Sequence, residues 1–212
     1  FNQLASYQPP TVTRMHAGDG RLLAEFSREK RVFVPIESIP RLVVQAFLSA
    51  EDKNFFEHQG IDFLGIGRAV LINLKRLGTG QRLVGASTIT QQVAKNFLLT
   101  NEVSIDRKIK EAILAFRIDR TLSKNRILEL YLNQIYLGFG SYGVAAAALN
   151  YFDRPLDKLS LPEIAFIAGL PKAPNNYHPL KNPKAAKIRR NYVIGRMIQD
   201  GHITKTLGEK LK

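Results

Sequence analysis

The chain has 212 residues, enough for one large domain or two small ones, and its 45% hydrophobic content supplies a real core and argues against disorder. Lys and Arg number 31 against 18 Asp and Glu, a surplus of +13 that points to an anionic partner: nucleic acid, phosphate or an anionic membrane surface. No cysteine is present, which excludes disulfides, thiolate metal sites and cysteine nucleophiles, and the four histidines show no H-E-x-x-H spacing for a histidine-based metal site.

The first 39 residues differ from the rest. Pro9-Pro10, Gly18-Asp19-Gly20 and the strand-like residues around them predict an extended lead-in with a hairpin. From residue 40 the pattern turns helical. Pro40 opens a helix whose apolar run, RLVVQAFLSA, ends near Asp52. Asp62 is placed to cap FLGIGRAVLINLKRL, and the basic loop GTGQRLVG follows. Ser87 is expected to cap TITQQVAKNFLL, and Asp106 a helix running to about Leu122. Ser123 is placed to cap KNRILELYLNQIYL, with Gly138 ending it. GVAAAALNYF and LPEIAFIAGL predict short buried helices, PKAPNNYHPLKNP a proline-rich loop, and AAKIRRNYVIGRMIQDG a basic helix. The fold class is therefore mainly α with a small N-terminal β element. No apolar run reaches the roughly 20 residues needed to span a bilayer. The chain starts without Met and ends in a polar stretch, and we read it as a piece of a longer protein.

Three stretches can carry chemistry. In EDKNFFEHQG, Glu51 stands at the negative end of its helix dipole beside Phe47, Leu48, Phe55 and Phe56. Both influences favour the protonated carboxyl, the setting of a general base working near neutrality. Composition alone favours a frayed helix end with two solvated acids. His58 by itself is more often a hydrogen-bonded structural residue than a ligand. In GASTITQQVAKNF, helical spacing lines up Ser87, Gln91 and Lys95, with Thr88 and Gln92 beside them, opposite the apolar Ile89, Val93 and Phe97. Such a face suits sugar hydroxyls and phosphate oxygens, and an ordinary amphipathic helix explains it equally well. In RKIKEAILAFRIDR, Arg107 and Lys108 lie one turn before Glu111. They form either a surface ion-pair cluster worth about 0.3–0.5 kcal/mol per pair or a cationic site for a pyrophosphate, which Arg117 and Arg120 would extend.

Together these stretches resemble the ordered motifs of the family 51 glycosyltransferases. EDKNFFEHQG resembles the first motif, GASTITQQ the second, RKIKE the third, KNRILELYLN the fourth and RRNYVIGRM the fifth. They occur in the family's order over most of residues 40–200. The segment HAGDGRLLAEFSREKRVFVPIESIP further resembles the front of class A penicillin-binding proteins of the 1a type. The resemblance implies a lysozyme-like helical glycosyltransferase domain over residues 40–212. It places a mobile, membrane-facing jaw at 62–84, and makes residues 1–39 the link to an N-terminal transmembrane anchor outside this chain. It implies a periplasmic location on the bacterial inner membrane and a reaction that polymerises lipid II into β-1,4-linked glycan strands, inverting the sugar carbon as undecaprenyl pyrophosphate leaves.

The resemblance also implies residue roles. Glu51 becomes the base for the acceptor 4-hydroxyl, and Glu111 the second acid, holding the cations or a divalent ion such as Mg2+ near the pyrophosphate; no protein-bound metal or other cofactor is otherwise implied. Arg107, Lys108, Lys95 and Arg117 meet the leaving pyrophosphate. Ser87, Thr88, Gln91, Gln92 and Asn96 contact sugars and phosphates, and Asp52, Phe55 and His58 shape the site. Lys124, Tyr131, Asn133, Arg189 and Arg190 fall to scaffolding. Lipid II, the growing strand, an anionic membrane and the inhibitor moenomycin are the expected partners. Two other classes remain in view. A lysozyme-like muramidase or lytic transglycosylase has no pyrophosphate to meet with clustered cations. A nucleic-acid-binding helical domain fits the charge, but the chain has no Trp, and its Lys and Arg are spread over many helices.

Overall fold

A computed structural model describes residues 13–16, 18, 22–26, 30–78, 85–99 and 104–212, the strands before residue 31 by their backbone. Pro9-Pro10, Asp19, Gly20, and residues 79–84 of the expected basic loop and jaw, Arg82 among them, lie outside the described residues. The described chain is mainly helical, as its periodicity requires. Strands β1 (Thr13–His16) and β2 (Leu22–Phe26) pair antiparallel with Thr13 opposite Phe26, and the register shifts between Met15 and His16. This is the expected N-terminal hairpin.

The chain divides into two compact units, one of residues 1–50 with 132–212 and one of Glu51–Tyr131. The first unit holds α1 (Arg41–Glu51) up to its last residue, and then α6 (Val144–Phe152), α7 (Leu161–Gly169), α8 (Pro183–Gln199) and α9 (Lys205–Leu211). Helices α6 and α7 are strongly apolar, and Val144–Ala148 and Ile164–Gly169 are buried. Such apolar runs need cover, and α7 packs along α8. Gly169 allows the close approach: a Cβ there would lie 3.0 Å from Cγ of Arg189, whose Nε donates to the Gly169 carbonyl at 3.0 Å. A short parallel pair, β3 (Lys30–Arg31) with β4 (Ser141–Tyr142), belongs to the same unit. Asn133 extends the ties of this segment by accepting from Val34 N–H at 2.8 Å and donating to Val34 C=O at 2.9 Å.

The second unit holds α2 (Phe63–Arg76), α3 (Ile89–Leu98), α4 (Ile105–Thr121) and most of α5 (Lys124–Gln134). Helices α3 and α4 pack along each other. Ala69 is the buried residue of α2, while Phe63, Leu64, Leu71 and Leu74 are exposed. Three helix ends depart from the sequence expectation. Thr88, not Ser87, caps α3, because Thr88 and Gln91 form a reciprocal capping box. Ser104, not Asp106, caps α4 by accepting from Arg107 N–H at 3.1 Å. Helix α5 stops at Gln134 and not at Gly138, since Leu137, Ser141 and Gly143 enter a turn of backbone hydrogen bonds around β4. Asp62 and Ser123 accept from Gly65 N–H (2.8 Å) and Arg126 N–H (3.2 Å), as a cap at each position demands. Among the described residues no helix is long and apolar enough to cross a membrane.

Candidate active site

Both candidate carboxylates and the expected polar residues around them lie within the Glu51–Tyr131 unit. The chain leaves α1 at Glu51 and turns through residues 52–60. Asp52 is buried and anchors this turn. Its Oδ2 accepts the Ile89 N–H at 3.0 Å, a free donor at the start of α3, and both carboxylate oxygens lie 3.0 Å from His58 Nε2. Phe55 is fully buried, with edge-to-face contacts to Phe56 at 5.2 Å and to the His58 ring at 6.3 Å. Lys124 Nζ sits 4.7 Å from the centre of the Phe55 ring and donates to the His58 carbonyl and to Asp119, each at 2.6 Å. The turn closes at Gly60, whose carbonyl accepts from Thr88 Oγ1 at 2.6 Å. Gly60 has φ +81°, and a Cβ there would stand 2.5 Å from the Ala115 carbonyl oxygen of α4, so both conformation and space require glycine.

Glu51 is half-buried and accepts from Gln92 Nε2 at 3.1 Å. Glu111 is buried on α4 and pairs with Lys108, one turn earlier. The same Lys108 ammonium donates to Ser87 Oγ at 3.0 Å. Residues 87–92 therefore bind both carboxylate regions. Ser87 reaches the Lys108–Glu111 pair, Thr88 and Ile89 hold the turn after Glu51, and Gln92 meets Glu51 itself. Glu111 has a cation against it, and the Gln92 carboxamide donates to Glu51. The Lys108 side chain is about half exposed and retains donors for a further anion.

The other expected residues fall into two groups. Thr88 and Gln91 are buried and satisfy the α3 backbone, with Gln91 Oε1 accepting from Thr88 N–H at 2.9 Å and Thr88 Oγ1 from Gln91 N–H at 3.1 Å. The Thr88 hydroxyl and the Gln91 carbonyl oxygen are thus engaged by the protein itself. Lys95, Asn96 and Arg117 are exposed, and no side-chain partner is brought to them among the described residues. Arg107 is half-buried, with its Nε shielded and unpartnered. Lys124, expected in scaffolding, braces the turn carrying His58 against Asp119. Asp119 and Lys124 are an acid and a base flanking a helix junction, and only the folded chain shows that they meet at that turn.

The family model described as transglycosylase matches residues 19–198. The chain belongs to this family and is a glycosyltransferase domain. It is 57% identical over 205 residues to penicillin-binding protein 1A of Rickettsia felis, a match covering 97% of this chain and 26% of that protein. It is 49% identical to penicillin-binding protein 1A of Aquifex aeolicus, covering 95% of this chain and 27% of that one. The chain thus spans about a quarter of the length of these curated relatives. The crystal structure of penicillin-binding protein 1A from Haemophilus influenzae superposes with a TM-score of 0.51 at 28% identity, covering 95% of this chain and 20% of that one.

Proposed function

We propose that this domain polymerises lipid II into β-1,4-linked glycan strands, using the growing strand as donor and lipid II as acceptor. The observation that carries the reading is a pair of carboxylates tied to one segment, residues 87–92. Glu51 accepts from the Gln92 amide, and Glu111 is paired with Lys108, whose ammonium also donates to Ser87. Glu51 removes the proton from the acceptor 4-hydroxyl. That oxygen forms a bond to C1 of the donor sugar, and the bond from C1 to the pyrophosphate oxygen breaks. One displacement inverts the carbon, and the negative charge that develops on the departing pyrophosphate is met by Lys108 and Arg107. Glu111 keeps Lys108 in position beside Ser87.

A divalent cation at the pyrophosphate would need a set of oxygen donors. Glu111 is occupied by an ammonium, and no group of three metal-ligating side chains exists among the described residues. At such a site most of those oxygens would come from the substrate phosphates and water, with Glu111 as the nearby carboxylate, and no step is routed through a cation.

We further assign α2 to the anionic surface of the bacterial inner membrane, on its periplasmic side. Phe63, Leu64, Leu71 and Leu74 are exposed, Lys75 and Arg76 follow at the helix end, and basic residues near such a surface contribute about 1 kcal/mol each. Moenomycin, a phosphoglycolipid, would occupy the Lys108–Glu111 face. The decisive experiment incubates fluorescent lipid II with the wild-type chain and with Glu51→Gln, then digests the product with muramidase. A muramidase-sensitive polymer from wild type alone supports the reading. Polymerisation at the wild-type rate by folded Glu51→Gln would remove Glu51 as the base.

A further inference from the structure

Among the described residues, Phe139 joins an unusual backbone conformation to an exposed aromatic ring. It has φ +53°, a left-handed conformation that bulky side chains rarely adopt. Its neighbours Gly138 (+82°) and Gly140 (+69°) are left-handed too, so three successive residues hold the ring in place. Yet the ring is not buried, being 55% exposed. A strained backbone that presents an exposed aromatic ring calls for a functional reason.

The ring is also supported from behind. It lies 6.0 Å from the Tyr151 ring and 5.7 Å, edge to face, from the His178 ring. The Tyr151 hydroxyl donates to the Leu137 carbonyl at 2.9 Å, which fixes the supporting ring to the segment that bears Phe139. His178 Nδ1 accepts from Leu180 N–H at 3.2 Å and Lys181 N–H at 3.4 Å. Those two bonds put the neutral-imidazole proton on Nε2, leaving an N–H donor with no protein acceptor among the described residues.

We infer that Phe139 and His178 form a saccharide-binding platform for a β-1,4-linked N-acetylhexosamine strand. The Phe139 face takes the C–H face of one pyranose ring, and His178 Nε2–H donates to a hydroxyl or acetamido oxygen. A flat, rigid ring with a single adjacent donor matches one sugar, whereas a protein partner needs about 800 Å² per side. The inference rests on the glycosyltransferase reading and deepens it by naming a sugar-binding element outside the stretches that carry the carboxylates.

The test titrates tetra-N-acetylchitotetraose against the wild-type chain, Phe139→Gly and Phe139→Trp, followed by ligand-observed NMR and thermal melts. Glycine relieves the left-handed strain and removes the ring. We expect Phe139→Gly to melt no lower than wild type and to bind the sugar at least tenfold more weakly, with Phe139→Trp retaining binding. Absence of wild-type binding, unchanged affinity in Phe139→Gly, or a lower melting temperature in that variant would each overturn the inference. Lipid II polymerisation by the same wild-type preparation judges the catalytic reading separately. If it persists while sugar binding fails, the platform alone falls.

Discussion

Replacing Asp52 by Ala should be the most damaging single change in the turn that follows Glu51. The Asp52 side chain is 3% exposed, and Ile89, whose N–H it accepts, is wholly buried. Hydrogen bonds to a charged group contribute about 1.5–3 kcal/mol each. Two are lost, the Ile89 N–H is left without its acceptor, and relief from burying a carboxylate offsets part of the cost. We therefore expect a net loss of about 3 kcal/mol, which for a chain of this size lowers the melting temperature by roughly 6–12 °C. Asp52→Asn keeps one acceptor for Ile89 and should cost about half as much. The sharper assay is hydrogen exchange. The Ile89 amide should lose protection in Asp52→Ala, while amides of α8 keep theirs. A Glu51-dependent polymerisation rate should fall through kcat, because the Gln92 amide that meets Glu51 rides on the helix whose first N–H has been released. A destabilisation under about 1 kcal/mol, or unchanged exchange at Ile89, would refute the anchoring role.

Three further outcomes follow from the same geometry. Lys124→Met strands the buried Asp119 carboxylate and the His58 carbonyl, and should cost about 3 kcal/mol by urea unfolding; a loss below 1 kcal/mol would leave Lys124 a surface residue in energetic terms. Gly60→Ala forces an alanine to φ +81° against the Ala115 carbonyl and should cost more than about 2 kcal/mol, read from the melting temperature. Burial, helped by the neighbouring Tyr136, pushes the Tyr151 hydroxyl from its ordinary 10.0 up to about 12. A raised pKa means that the folded state holds the proton longer, so its contribution is complete below pH 10 and is lost as pH rises toward 12. Unfolding titrations of wild type and Tyr151→Phe between those values should converge, and parallel curves would contradict the shift.

The sequence by itself determined the helical class, the order of the elements and the candidate carboxylates. Helical periodicity, proline positions and cap residues act over a few residues, so Asp62, Ser123 and the buried runs of α6 and α7 were legible without a fold. It also placed Glu51, Gln92, Lys108 and Glu111 among the chemically useful residues, because their spacing and charge are local facts. Tertiary structure decided which polar groups are already taken. On a helical wheel Thr88 and Gln91 belong to the polar face, and the folded chain shows the Thr88 hydroxyl and the Gln91 carbonyl oxygen capping α3, a use that spacing cannot reveal. Asp52 and Ile89 are 37 residues apart, and Lys124 meets the His58 carbonyl across 66. Contacts of that separation depend on where chain closure brings elements together, which no local pattern encodes. The contacts of the two acids divide in the same way: Lys108 and Glu111 are neighbours on one helix, whereas Gln92 reaches Glu51 from another.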